Sequence, residues 1–300
     1  WATKVWNPLR GCSKVSEGCR NCYAIKQAHR FSGEGMPFEG LTHMMDAGLN
    51  WTGKVTLVNG MLLEPLKWRK HERIFVNSMS DLFHDAVPDS YIDEVFGVML
   101  ACKVLDNKSD HNFMILTKRP ERMQKYMNAG KDELLKRWSK SWDGIIIMYD
   151  PDIYFSEYVM SMAMHEELFP LPNVWLGTSV EDQKAADERI PLLLQTPAAI
   201  RFLSMEPLLG PVDLTRVNYL PAGNGFSEMY RQPLIGRSKG PNGNWLATSN
   251  GLDWIIVGDE SGPNARPMHP EWARSLRDQC QVAEVSYFFK QWGEWIAFHD

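Results

Sequence analysis

The chain has 300 residues, of which 44% are apolar and 23% charged, enough to bury a large core and too apolar for a disordered chain. Its 37 acidic and 32 basic residues leave a net charge of −5, which excludes a uniformly basic, unselective nucleic-acid binder but not a local basic groove. No apolar run reaches the roughly 18 residues that cross a bilayer and no signal-like stretch opens the chain, so a soluble cytoplasmic protein without a membrane partner is expected.

In chain order, Thr3–Asn7 is the first candidate strand, and a loop carrying Cys12, Cys19 and Cys22 follows it directly. A basic run, Lys67, Arg69, Lys70 and Arg73, precedes the apolar run Ile74–Ser78; Asp81 and His84 come just after, with His84 a candidate proton carrier. Asp89 is placed to cap a helix whose stripe is Ile92, Val95, Phe96, Met99 and Leu100. Next come the strand Asn112–Arg119 and a helix opened by Pro120 and running through Met123, Tyr126 and Met127. Residues 138–172, with Trp138, Trp142 and several methionines, read as an insertion with its own short helix. The strand Val174–Ser179 leads into a helix over Glu181–Leu194 that Pro191 should bend or end early. After the strand Ile200–Glu206, residues 210–252 are rich in Gly, Pro, Asn and Ser and suggest a long irregular connection. The strand Trp254–Ser261, a helix over Pro270–Val282 and the strand Tyr287–Gln291 complete the series.

Short, continuously apolar strands alternating with helices predict an α/β fold with a parallel sheet buried on both faces, and their number favours a full or partial barrel over an open doubly wound sheet. One domain over residues 1–300, with the two insertions, is expected. In such folds ligands bind at the carboxyl ends of the strands. Those ends carry Ser78 and Asp81, Thr117 to Arg119, Ser179 and Glu181, Ser204 and Glu206, Asp259 to Ser261, and Lys290 with Gln291.

The cysteines divide by placement. Cys102 and Cys280 fall in helical apolar patterns and read as small buried hydrophobes. Cys12, Cys19 and Cys22 form a C-x6-C-x2-C loop with Gly11 and Gly18, and thiols this close in a reducing compartment point to a metal. Two chemistries fit: an iron–sulfur cluster with one iron lacking a protein ligand, or a zinc site completed by His29. Lys118, Arg119, Arg122 and Lys125 make a second basic run suited, like the first, to a phosphate backbone, and 12 tryptophans offer surfaces for stacking on bases.

Trp6-Asn7-Pro8, Gly11-Cys12, Cys19-Arg20-Asn21-Cys22-Tyr23-Ala24, Ser78-Met79-Ser80-Asp81-Leu82-Phe83, Leu116-Thr117-Lys118-Arg119-Pro120, Ser204-Met205-Glu206-Pro207-Leu208 and Phe289-Lys290-Gln291-Trp292-Gly293 resemble a three-cysteine-motif family of phage and prophage proteins. That family looks like a divergent branch of the radical S-adenosylmethionine superfamily. Asp259 stands where the family pattern has a second glycine, and the superfamily's usual cysteine spacing is C-x3-C-x2-C. The resemblance implies a partial (β/α)6 barrel, a [4Fe-4S] cluster on Cys12, Cys19 and Cys22, bound S-adenosylmethionine, and an external electron donor. It implies cofactor contacts from Ser78, Ser80, Asp81, Thr117, Lys118, Ser179 and Glu181, with Asp81 accepting from the methionyl amine. Glu206, Asp259, Glu260 and Lys290 are left for a substrate, expected to be a nucleic acid or nucleotide. A non-catalytic iron–sulfur or zinc protein that binds nucleic acid or a partner protein is the alternative.

Overall fold

A computed structural model describes residues 1–46, 48–104, 111–146, 168–218, 230–235, 237–239, 245–247 and 251–295. Seven strands, β1 (Lys4–Trp6), β2 (Arg73–Val76), β3 (Asn112–Thr117), β4 (Val174–Ser179), β5 (Ile200–Met205), β6 (Trp254–Gly258) and β7 (Ser286–Gln291), form one sheet in that order. Neighbours in sequence are thus neighbours in the sheet, the single winding of a partial barrel; a doubly wound sheet would reverse its order partway. The ladders β1/β2, β2/β3, β5/β6 and β6/β7 are parallel. Ile74, Val76, Phe113–Ile115 and Ile255–Val257 are fully buried, as parallel strands covered on both faces require. β7 alternates exposed and half-buried residues, the pattern of an edge.

The chain divides into two compact units. The first comprises Trp1–Ser13, Ala24–Trp175 and Pro197–Ala199. Its helices are α1 (Tyr23–Arg30), α2 (Asp89–Val104), α3 (Pro120–Met127) and α4 (Lys131–Ile146). Helix α4 packs through Leu134, Leu135 and Trp138, all buried, and Trp138 stacks on Phe96 of α2 at 4.8 Å. Asp93 of α2 would be costly in that core alone; Tyr126 donates to it at 2.6 Å and Arg137 donates twice, at 2.8 and 3.0 Å. The Tyr126 hydroxyl accepts in turn from Trp138 Nε1 at 2.9 Å. Trp138 therefore belongs to the core of this unit rather than to an insertion, and its truncation to alanine should cost about 3–5 kcal/mol. The rest of that expected insertion, residues 147–167, lies outside the described residues. Beside the main sheet are the hairpin Thr42–Met45/Gly48–Trp51 and the pair Leu9–Arg10/Thr56–Leu57.

The second unit comprises Lys14–Tyr23, Leu176–Thr196 and Ile200–Asp300. It carries α5 (Gln183–Leu194) and α6 (Pro270–Val282). Asp182 caps α5 by accepting from the Ala185 amide at 2.8 Å. Pro191 does not end this helix. Only its last turn follows the proline, and the chain closes there through Gln195 and Thr196, which donate to the Pro191 and Leu192 carbonyls. Within residues 210–252 the expectation of an irregular connection gives way to a four-stranded antiparallel sheet of short strands, Val217–Asn218, Tyr230–Gln232, Arg237–Lys239 and Trp245–Ala247. Residues 219–229, 236, 240–244 and 248–250 of that segment lie outside the described residues. Cys280 is fully buried, and burial pushes both its thiol and that of Cys102 up to about 12.

Candidate functional site

In the first unit, two adjacent parallel strands deliver their carboxyl ends side by side, which is why residues 36 or more apart in sequence meet there. β2 ends in Asn77, whose φ of +63° turns the chain sharply; asparagine tolerates that region better than most residues. Asp81 follows, 6% exposed. Its Oδ1 accepts from the Phe83 amide at 3.0 Å and the Thr117 hydroxyl at 2.8 Å. Its Oδ2 accepts from the Lys118 amide at 3.1 Å and from Arg119 Nη1 at 3.0 Å. A carboxylate has about four acceptor sites, and these four donors fill them. Asp81 is thus the partner of a buried guanidinium. Arg119, expected to face phosphate, points inward.

The other fork of Arg119 reaches the cysteine loop: Nη2 donates to the Ser13 carbonyl at 3.2 Å and to Ser13 Oγ at 2.7 Å, while Nη1 lies 3.8 Å from Cys12 Sγ. Burial, and after it the charge of Asp81, push the Cys12 thiol up to about 12 against the opposing pull of Arg119. Ser13 Oγ is also 2.9 Å from His84 Nε2. His84 Nδ1 accepts from the Ala86 amide, so the neutral ring carries its proton on Nε2 and donates it to Ser13. Burial, then Arg119, lower the His84 pKa, and the neutral form holds near pH 7. Such a ring cannot draw a proton from Ser13, which excludes a serine–histidine nucleophile in this arrangement. Arg122 donates to the carbonyls of His84 and Val87 and to Asp89 at 2.8 Å, so its guanidinium braces the loop that leads into α2.

Ser78 pairs with the Asn7 carboxamide at 3.2 Å and Ser80 Oγ donates to the Leu9 carbonyl at 2.9 Å, tying the loop after β2 to the exit of β1. At Gly11, φ is +89° and a Cβ would stand 2.3 Å from the Lys54 carbonyl, so only glycine fits before Cys12.

In the second unit the strand-end glutamates Glu181, Glu206 and Glu260 again each have a cation. Glu181, 2% exposed, pairs with Arg189 Nη1 at 3.2 and 3.1 Å, and the same nitrogen donates to the Ser179 carbonyl at 2.9 Å. Glu206 pairs with Lys290 at 2.9 Å and accepts from the Ser204 hydroxyl at 3.2 Å. A Cβ at Gly258 would fall 2.6 Å from Glu206 Oε1. Asp259 accepts from the amides of Glu260 (2.7 Å) and Met268 (3.1 Å), and burial raises its pKa. Its side chain thus shapes the turn where a glycine was expected. Glu260 accepts from Asn21 Nδ2 at 2.8 Å and from Arg266 through three nitrogens at 2.6 to 3.1 Å. Burial pushes its pKa up, but the bonds from Arg266 and Asn21 prevail and hold it below the usual glutamate value.

The cysteines are not joined in disulfides; Cys12 falls in the first unit, Cys19 and Cys22 in the second. Among the described residues no three His, Cys, Asp or Glu side chains group so as to hold a metal ion. His29, proposed from sequence to complete a zinc site, has its Nδ1 3.2 Å from the Thr42 hydroxyl. Sequence reasoning named Arg119 and Lys290 but did not pair Arg189 or Arg266 with an acid. Arg189 lies in the middle of a helix and Arg266 in a loop, and neither spacing announces its acid.

Over residues 1–299 the sequence matches a family described as a protein of unknown function (DUF5131), and the chain belongs to that family. No curated protein and no solved structure matches it.

Proposed function

We propose that this DUF5131 chain is a radical S-adenosylmethionine enzyme of phage or prophage type, acting on a nucleic acid or nucleotide with an external electron donor. The observation that carries the reading is the donor set: three cysteines outside any disulfide, within one short stretch of sequence beyond β1 of a singly wound parallel sheet. Three thiols match the ligand count of a [4Fe-4S] cluster in which one iron has no protein ligand. When bound, cluster and cofactor supply one-electron cleavage of a sulfonium and hydrogen abstraction from substrate. The chain's residues hold and shield. Arg119 brings a positive charge and an N–H toward Cys12 Sγ, favouring the thiolate that a metal needs. Glu181 and Glu260 are locked by Arg189 and Arg266. Lys290 is the most open of the four cations paired with strand-end acids, 35% exposed against 9%, 8% and 23% for Arg119, Arg189 and Arg266. Lys290 with Glu206 therefore suits an anionic substrate group. The same reading places the protein in the reducing cytoplasm, where thiols persist.

Oxygen-free reconstitution should load about four irons and four sulfides per chain. Replacement of Cys12, Cys19 and Cys22 together by alanine should abolish the chromophore, and the reduced protein should cleave S-adenosylmethionine to methionine and 5′-deoxyadenosine. One observation favours a second reading, a non-catalytic iron–sulfur or zinc protein binding nucleic acid or a partner protein: the strand-end acids Asp81, Glu181, Glu206 and Glu260 are already ion-paired. Stoichiometric zinc without sulfide, or a full cluster that never cleaves the cofactor, would decide for it.

A further inference from the structure

Cys19 and Cys22 sit on residues 16–22, of which none is buried and only the single turn Glu17–Cys19 is regular. No apolar side chain anchors this loop, so its position rests on polar contacts. From the loop, Asn21 Nδ2 donates to Glu260 Oε2 at 2.8 Å and to the Asn264 carbonyl at 2.9 Å. Toward the loop, Arg266 Nη2 donates to the Glu17 carbonyl at 3.0 Å and Nη1 lies 3.6 Å from the Glu17 carboxylate. The same guanidinium holds Glu260 Oε1 at 2.6 Å, so one planar fork joins loop and acid. Ser16 Oγ reaches Glu181 Oε1 at 3.4 Å, and Gly18 lies so close to Glu181 that a Cβ there would come within 2.5 Å of it.

We infer that Glu260 and Arg266 are a clasp that fixes the loop and, through it, the grip of Cys19 and Cys22 on a metal. Glu260 is then a positioning residue rather than a substrate group. The inference rests on the reading of the cysteines as ligands, but the clasp can be tested without metal. Partners that orient a metal ligand typically change affinity about 10–100-fold when removed.

The full-length chain is compared with Glu260→Gln, Arg266→Gln, Arg266→Lys and Asn21→Ala, first by hydrogen exchange and thermal melting without metal. After reconstitution with iron and sulfide, the rate of iron loss to a ferrous chelator is measured. Exchange over residues 16–22 should rise at least about tenfold, as loss of a hydrogen bond to a charged group implies, with the melting temperature of Asn21→Ala unchanged. Iron loss should quicken about 10–100-fold, and Arg266→Lys should not rescue it, because an ammonium lacks the fork. Unchanged exchange and unchanged iron loss in Arg266→Gln and Asn21→Ala overturn the clasp. If the wild type takes up neither iron nor zinc, the reading of the cysteines as ligands fails, and exchange over residues 16–22 alone then decides whether the clasp stands. Should Glu260→Gln fail to fold, Asn21→Ala, which removes only the loop's own amide, carries the test.

Discussion

Replacing Asp81 by alanine strips four hydrogen bonds from one carboxylate and leaves the Arg119 guanidinium buried beside Cys12 without its counter-ion. Both side chains of the pair are under a tenth exposed, 9% for Arg119 and 8% for Asp81, so water cannot take over the lost charge. Breaking a buried pair from one side costs about 3–5 kcal/mol, a large share of the roughly 5–15 kcal/mol that holds a domain folded. Asp81→Ala should therefore lower the urea midpoint steeply, with the slope of the transition unchanged. Removing the second charge as well, in Asp81→Ala/Arg119→Met, should recover much of the loss, because the unpaired cation is the main penalty. A single variant that loses less than about 1 kcal/mol, or a double variant no better than the single one, would refute the description of this pair as buried and mutually dependent. The same result governs any binding assay. A loss of cofactor affinity in Asp81→Ala is evidence of contact only in protein shown to be folded at the assay temperature.

Burial, followed by the charge of Asp93, raises the Tyr126 phenol above its ordinary value near 10, so the folded chain keeps its proton while the unfolded chain releases it. Above about pH 10 Tyr126 should thus contribute a loss of about 1.4 kcal/mol per pH unit, measured by urea midpoints, and Tyr126→Phe should make the alkaline slope shallower by that amount, the remainder coming from Tyr91, Tyr287 and the buried thiols. At neutral pH the same variant should cost about 1–3 kcal/mol, since Trp138 Nε1 loses its acceptor. Gly18→Ala should displace the buried Glu181 side chain and raise hydrogen exchange over residues 16–22, whereas Gly60→Ala, with nothing within 4 Å, should leave stability equal or raise it by up to about 1 kcal/mol. In thiol titration of the native protein Cys280 should stay silent until denaturant is added, and Cys19 and Cys22, both half-buried, should react first.

What could be read from sequence follows from the range over which each signal acts. The strands β3, β4 and β5 and the starts of α2, α3 and α6 match the expectation because apolar runs, Asp89, Pro120 and Pro270 are local signals. Trp138 was misplaced because its partners Phe96 and Tyr126 lie 42 and 12 positions away, and only packing joins them. The short strands after Val217 escaped notice since two or three residues leave no period to detect. At the site, the acids were legible by their place after apolar runs, but their ownership was not. Asp81, a strand-end acid in sequence, is a buried ion-pair member because Arg119 turns inward, and Glu260 accepts from Asn21. The cysteines were legible as a set, whereas their division between two compact units was not.

The clasp also orders events in time. Asn21 meets its acceptor Glu260 across 239 positions, so at about 5–20 residues per second a ribosome needs about 12–48 s to synthesise the stretch between them. Through that interval Cys19 and Cys22 ride on a nascent segment whose anchor Glu260 does not yet exist, although Glu181, the partner of Ser16, follows after only 165 positions. The thiols nearest the start of the chain are consequently among the last groups to be set in place. A metal delivered during synthesis would meet a pliant chelating peptide, and one delivered afterwards would meet a finished loop.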